Sequence, residues 1–108
     1  MNNQILQLLG MAMRAGAVAT GDETCLAKVR SGQALVTFLA NDAGHNTQKK
    51  YRDKCATYRV PLIESFSKTE LGVSLGKIER VVAVVTHNGF ADRILQLSKE
   101  QIGGERCE

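Results

Sequence analysis

Between Arg14 and Gly21 the chain reads Arg-Ala-Gly-Ala-Val-Ala-Thr-Gly, then runs straight into Asp22-Glu23-Thr24. Acidic residues directly after a glycine mark a helix start, where the helix dipole favours negative charge. Backbone amides at such a start have no partner inside the helix and are ready donors to a phosphate oxygen. The side chains of Asp22, Glu23 and Thr24 suit base edges that carry donors, such as the guanine amino group. Arg14 and Lys28 flank the stretch as cations. Two other loops are candidates for the same surface, Glu64-Ser65-Phe66-Ser67-Lys68 and Thr86-His87-Asn88-Gly89. In the first, Phe66 stands among polar residues, a pattern that suits stacking on an unpaired base, with Ser65 and Lys68 beside it. The alternative is a ring folded back onto the core.

Charge supports an anionic partner. The 108 residues carry a net +3, but residues 45–68 alone hold six basic and two acidic side chains, whereas residues 1–44 hold three of each. Such a local surplus is a candidate phosphate-binding surface, the alternative being a solvated helix face. Lys49, Lys50, Arg52 and Lys54 point in several directions around one helix, which suits a diffuse field and affinity more than base reading.

Catalytic and metal constellations are weak. The two histidines, His45 and His87, stand beside different strands. The three cysteines at 25, 55 and 107 fit no zinc spacing, and nothing around Cys25 or Cys55 resembles an activated thiol. Both of these sit on apolar helix stripes, the place of inert buried cysteine. A metal held by His45, His87 and Asp42 is possible only on paper. No glycine loop has the spacing that cradles a nucleotide; Gly72 to Lys77 follows a helix and reads as its end. These features predict no enzyme and no cofactor. No apolar run approaches the roughly 18–20 residues of a membrane helix, and the first residues lack the basic start of a secretory signal. A reduced, cytoplasmic chain is the expectation.

Helix and strand patterns alternate. Residues 3–14 read as an amphipathic helix, ended by Gly16, and Ala17-Val18-Ala19 as a short strand. A helix from Asp22 stops at Ser31-Gly32. Residues 34–40 and 81–85 are almost wholly apolar, as strands are when covered on both faces. A helix over 46–59 carries Tyr51, Cys55 and Tyr58 on one stripe. Val60-Pro61-Leu62-Ile63 is a short strand whose proline suggests an edge or an entry position. Ser67-Lys68-Thr69-Glu70 fits a capping box opening a short helix to about Leu75. A last helix begins at Asn88 or Gly89, and residues 103–108 read as a flexible tail. The predicted fold is α/β: a three-layer α/β/α sandwich around a small, largely buried mixed sheet of about four strands with about five helices, one domain over residues 1–102.

Several segments together resemble a known family. Arg14 to Gly21, Lys28-Val29-Arg30-Ser31-Gly32-Gln33-Ala34-Leu35-Val36, Ala40-Asn41-Asp42, Val60-Pro61, Glu70-Leu71-Gly72 and Gly76-Lys77 resemble the kink-turn-binding ribosomal-protein superfamily of L7Ae and L30e type. Asn46-Thr47-Gln48-Lys49-Lys50, Asp53-Lys54-Cys55 and Gly89-Phe90-Ala91 narrow the resemblance to its small bacterial YlxQ-type members. It spans about residues 4–99. The resemblance implies the three-layer fold and binding of structured RNA, commonly a kink-turn, gripped by the start of the second helix and the loop after the third long strand. The family's pattern at that helix is Gly-x-Asn-Glu-x-x-Lys. Gly21 matches its glycine. Glu23 stands in place of asparagine, Thr24 in place of glutamate and Ala27 in place of lysine; Lys28 is one residue out, a turn of about 100° on a helix. The reading is a non-catalytic, ribosomal or ribosome-associated RNA-binding protein. The alternative is an RNA-recognition subunit or adaptor working with a separate RNA-modifying or translation-related protein.

Overall fold

The two apolar runs form the centre of one sheet. In this computed structural model, which describes residues 3–106 and the side chains of residues 3–99, β2 (Val36–Leu39) and β4 (Val82–Val85) are buried along their whole length. The strand order is β1-β4-β2-β3, with β1 (Val18–Thr20) and β3 (Leu62–Ile63) at the edges. Pro61 sits where a missing N–H costs nothing: at the edge, with its carbonyl accepting from the Thr37 amide at 2.9 Å.

Alternation along the central strands divides the core in two. Val36, Phe38, Ala83 and Val85 face a layer made by α1 (Gln4–Arg14), α4 (Lys68–Ser74) and α5 (Asn88–Arg106), where they meet Ile5, Leu9, Leu71 and Ile94. Leu39, Val82 and Val84 belong to the other core, with Cys25 and Val29 of α2 (Asp22–Ser31) and Tyr51 and Cys55 of α3 (His45–Tyr58). Among the described residues, five helices and four strands thus make the expected three layers. The expected capping box is formed: Ser67 Oγ accepts from the Glu70 amide at 3.1 Å, and Glu70 Oε1 accepts from the Ser67 amide at 2.8 Å.

Strand direction decides what meets at each end of the sheet. β2 and β3 are parallel, while β4 pairs antiparallel with both β1 and β2. The residues after β1, β2 and β3 therefore gather at one end, together with those before β4. The register Val18↔Val85 carries Thr86 to the other end, where its amide donates to the Ala17 carbonyl at 2.9 Å. The Thr86–Gly89 loop consequently does not join the surface of Gly21, contrary to the expectation from sequence. The same reversal puts His45, after β2, and His87, after β4, at opposite ends.

Two further differences concern glycines. Gly76 ends α4 in the left-handed region at φ +75°, as a helix-ending glycine should, but Gly72 lies inside the helix. There it admits the returning chain: a Cβ at Gly72 would stand 2.5 Å from the Ile78 carbonyl oxygen and 2.6 Å from Glu79 Cα. Residues 103–106, expected as tail, continue α5, since nothing in them removes a backbone donor; Cys107 and Glu108 lie outside the described residues.

The Gly72 contact gives a direct expectation. Gly72→Ala must push two backbone segments apart, and overpacking of this kind costs about 1–3 kcal/mol. Thermal melting should show a fall of at least several degrees, about 4–8 °C per kcal/mol for a chain of this size. An unchanged melting temperature would refute the close approach.

Candidate nucleic-acid interface

Gly21 caps α2 with φ +94° and ψ 139°, a conformation open to glycine and strained for other residues, and it makes no side-chain cap bond to the helix. Residues Gly21 to Thr24 are exposed. The helix start therefore presents unshielded backbone donors, as the sequence predicts.

The acid at that start is held from behind. Asp22 Oδ2 accepts from Lys50 Nζ at 2.7 Å, and the hydroxyl of fully buried Tyr51 donates between Asp22 Oδ1 and the Asp22 carbonyl oxygen, each at 2.8 Å. Helical spacing explains the arrangement. Tyr51 points into the core, while Lys50 and Arg52 flank it by about 100° on either side. Lys50 thus reaches α2, and Arg52 reaches Glu64 in the loop after β3, with 2.7 Å between Nε and Oε2. Lys49, two residues from Tyr51, faces solvent. The hydrogen bond from Lys50, then that from Tyr51, holds the Asp22 carboxyl below the usual carboxylate range, with burial opposing. Burial, reinforced by Asp22, pushes the Tyr51 hydroxyl far up. Asp22 and Lys50, both expected from the sequence to contact a ligand, engage each other, as a tie between α2 and α3 that orients the helix start.

A cavity of about 510 Å³ opens beside this tie, lined by Thr20, Gly21 and Asp22, by Thr47 of α3, and by Glu79, Arg80, Val81 and Val82 leading into β4. Arg80 is the residue that sequence reading misses. Its only local signal is a lone cation before an apolar strand, and it meets Gly21 because β4 enters the sheet beside β1. The Arg80 amide donates to the Lys68 carbonyl at 3.0 Å, and the Lys68 amide to Asp42 Oδ1 at 2.9 Å, so Lys68 joins this end of the sheet. Ser65 is exposed in the same loop.

Phe66 does not take the role assigned to it. Its ring is only 6% exposed, packs in the core and lies 6.3 Å from the Phe38 ring centroid. Burying an aromatic ring in the apolar core outweighs presenting it to solvent, so the alternative reading holds. Arg14 ends α1 and lines the groove between α1 and α4 rather than the cavity of Gly21. Glu23, Thr24, Ala27 and Lys28 share the outer face of α2, where Lys28 Nζ donates to Gln33 Oε1 at 2.8 Å. Burial first, then the Asp22 charge, pushes the Cys25 thiol up to about 12, and burial raises Cys55 as well, which disfavours the thiolate at both core cysteines.

Comparison with known proteins places this geometry. Residues 3–95 match the Ribosomal protein L7Ae/L30e/S12e/Gadd45 family. The chain belongs to that family. Among its relatives are the RNA-binding protein YlxQ of Enterococcus faecium, 44% identical over 92 residues covering 85% of this chain and 88% of that one, and the RNA-binding protein YlxQ of Bacillus subtilis (strain 168), 42% identical over 90 residues covering 83% and 90%. A protein of unknown function from Bacillus halodurans superposes with a TM-score of 0.85 at 38% identity, over 89% of this chain and 97% of that one. The Giardia lamblia 15.5kD RNA binding protein shares the fold, with a TM-score of 0.77 at 20% identity, over 93% and 89%. Glu23, Thr24 and Ala27, where the sequence departs from the pattern that the resemblance implies, are all exposed, the first two in the first turn of α2 and Ala27 near its middle. Among the described residues no helix is long and apolar enough to cross a membrane.

The tie behind Gly21 should register in stability. Tyr51→Phe removes the hydroxyl shared by both Asp22 acceptors and should cost about 1–2 kcal/mol in urea denaturation. The Asp22 carboxyl titrates lower in the folded chain than its ordinary 3.8, so its contribution is complete above that value and is lost as pH falls through the folded-state pKa. The stability difference between the wild type and Asp22→Asn should therefore be constant near neutral pH and shrink below about pH 4. A gap that widens on acidification would contradict the assigned direction.

Proposed function

We propose that this protein is a non-catalytic binder of structured RNA, and that the RNA seats on the end of the sheet formed by the start of α2, Lys68 and the segment leading into β4. The observation that carries the reading is the Gly21 cavity, of about 510 Å³, with the amides of a helix start on one wall and Arg80 on the other. The amides and Arg80 suit a phosphate. Thr20 and Thr47 offer hydroxyls to sugar or base, and Val81 offers an apolar contact. Membership of the family and the names of the YlxQ relatives support RNA as the ligand class. The preferred target is a kink-turn within ribosomal RNA, bound in the cytoplasm. On the outer face of α2, Glu23 replaces an amide, so a base donor rather than a phosphate is its fitting partner. Lys49 and its basic neighbours on α3 add long-range attraction.

Filter binding to a kink-turn RNA and to a plain duplex, at several salt concentrations, tests this. Gly21→Val should weaken kink-turn binding tenfold or more, about 1.4 kcal/mol. Arg80→Ala should also weaken it and lower the salt slope by about one unit, as expected for one lost phosphate contact. Lys49→Ala should reduce affinity for both RNAs by similar factors. Ala27→Lys, which restores the family's cation, should strengthen kink-turn binding by about 1 kcal/mol more than duplex binding. Circular dichroism confirms folding of each variant. Wild-type protein that fails to bind either RNA at about micromolar concentration would defeat the proposal.

A further inference from the structure

On the layer opposite α2 and α3, α1 and α4 enclose a second groove, of about 620 Å³. One wall carries Met11 and Arg14 of α1, three residues apart and so on one stripe. The other carries Glu70 and Val73 of α4, again three apart. The walls are set rather than loose, since the Ser74 hydroxyl donates to the Leu6 carbonyl across them. Two features mark this groove as incomplete. Met11 is 48% and Val73 71% exposed, two sizeable apolar side chains on facing walls. Arg14 and Glu70 also stand on facing walls with opposite charges, yet among the described residues they form no ion pair with each other.

We propose that this groove is where two copies of the chain associate, about a two-fold axis running along it. Such an axis lays α1 of each copy over α4 of the other. Met11 then meets the partner's Val73, and Arg14 meets the partner's Glu70, each contact occurring twice. The face is self-complementary in apolar content and in charge together. Nucleic acid is a poor occupant, because apolar walls and the Glu70 carboxylate confront the single Arg14 cation. The contact is small, so association is weak and concentration-dependent. The cavity beside Gly21 shares none of these residues, and the proposal does not depend on RNA being bound there.

Sedimentation equilibrium of the full chain, up to about 1 mM, reads the outcome. The wild type is expected to dimerise reversibly and Val73→Asp to be monomeric. Arg14→Glu and Glu70→Arg, taken singly, should each raise the dissociation constant about tenfold or more. Mixed in equal amounts they should associate again, because both cross-copy pairs then oppose a carboxylate to a guanidinium. Glu70→Arg also removes the bond to the Ser67 amide, so melting curves accompany it. Glu70→Gln keeps an acceptor for that amide and should still weaken the dimer. A wild type that is monomeric at about 1 mM, a dimer unmoved by Val73→Asp, or folded charge variants that stay apart when mixed would each overturn the proposal.

Discussion

The hydrogen-bonded pairing of β4 with both β1 and β2 is the constraint on which the rest of the molecule depends. β4 is the last strand of the chain, yet it lies inside the sheet and runs against both its neighbours. Because of that reversal, the segment entering β4 meets the segments leaving β1, β2 and β3. Arg80, Gly21, Asp42 and Lys68 come from four segments spread over almost sixty residues, and a single antiparallel strand gathers them. Had β4 run parallel, Thr86 and His87 would occupy that end instead. Burial holds the strand in place: Val82 and Val84 fill one core, Ala83 and Val85 the other. A slip of one residue would exchange the two sets.

Orientation of the candidate interface is a separate matter from its assembly, and the buried Tyr51 hydroxyl governs it. A phenol in the core needs a partner, because an unpaired buried hydroxyl carries a desolvation cost. Tyr51 finds two acceptors on Asp22, and Lys50 completes the set from the surface. The result is a helix start fixed against α3 from its inner side while its amides remain open on the outer side. An aspartate at this position thus serves the geometry of the amides rather than competing with a phosphate for them. The opposite layer has another character: α1 and α4 leave Met11 and Val73 exposed across a groove that Arg14 and Glu70 also line.

Much of the architecture was legible in residue order. Continuous apolar runs at 34–40 and 81–85 declared strands covered on both faces, Ser67 and Glu70 declared a capped helix, Pro61 an edge or an entry position, and Gly21-Asp22-Glu23 a helix start. Each of these is a local property, decided by backbone conformation, missing donors or periodicity within a few residues, so the sequence by itself determined them. Segment resemblance likewise pointed to the family. The fate of individual polar and aromatic groups was decided only by the tertiary structure. Phe66 reads as an exposed stacking ring among serines, but Phe38 of a distant strand receives it. Asp22 reads as a base contact and Lys50 as part of a diffuse basic field, with nothing local to pair them, but they stand 2.7 Å apart across 28 residues of chain. Arg80 has no telling neighbours in sequence and acquires its setting from strand direction alone. The physical reason is common to all three: a local pattern reports which conformation a segment prefers, whereas side-chain partners depend on which segments the sheet brings side by side.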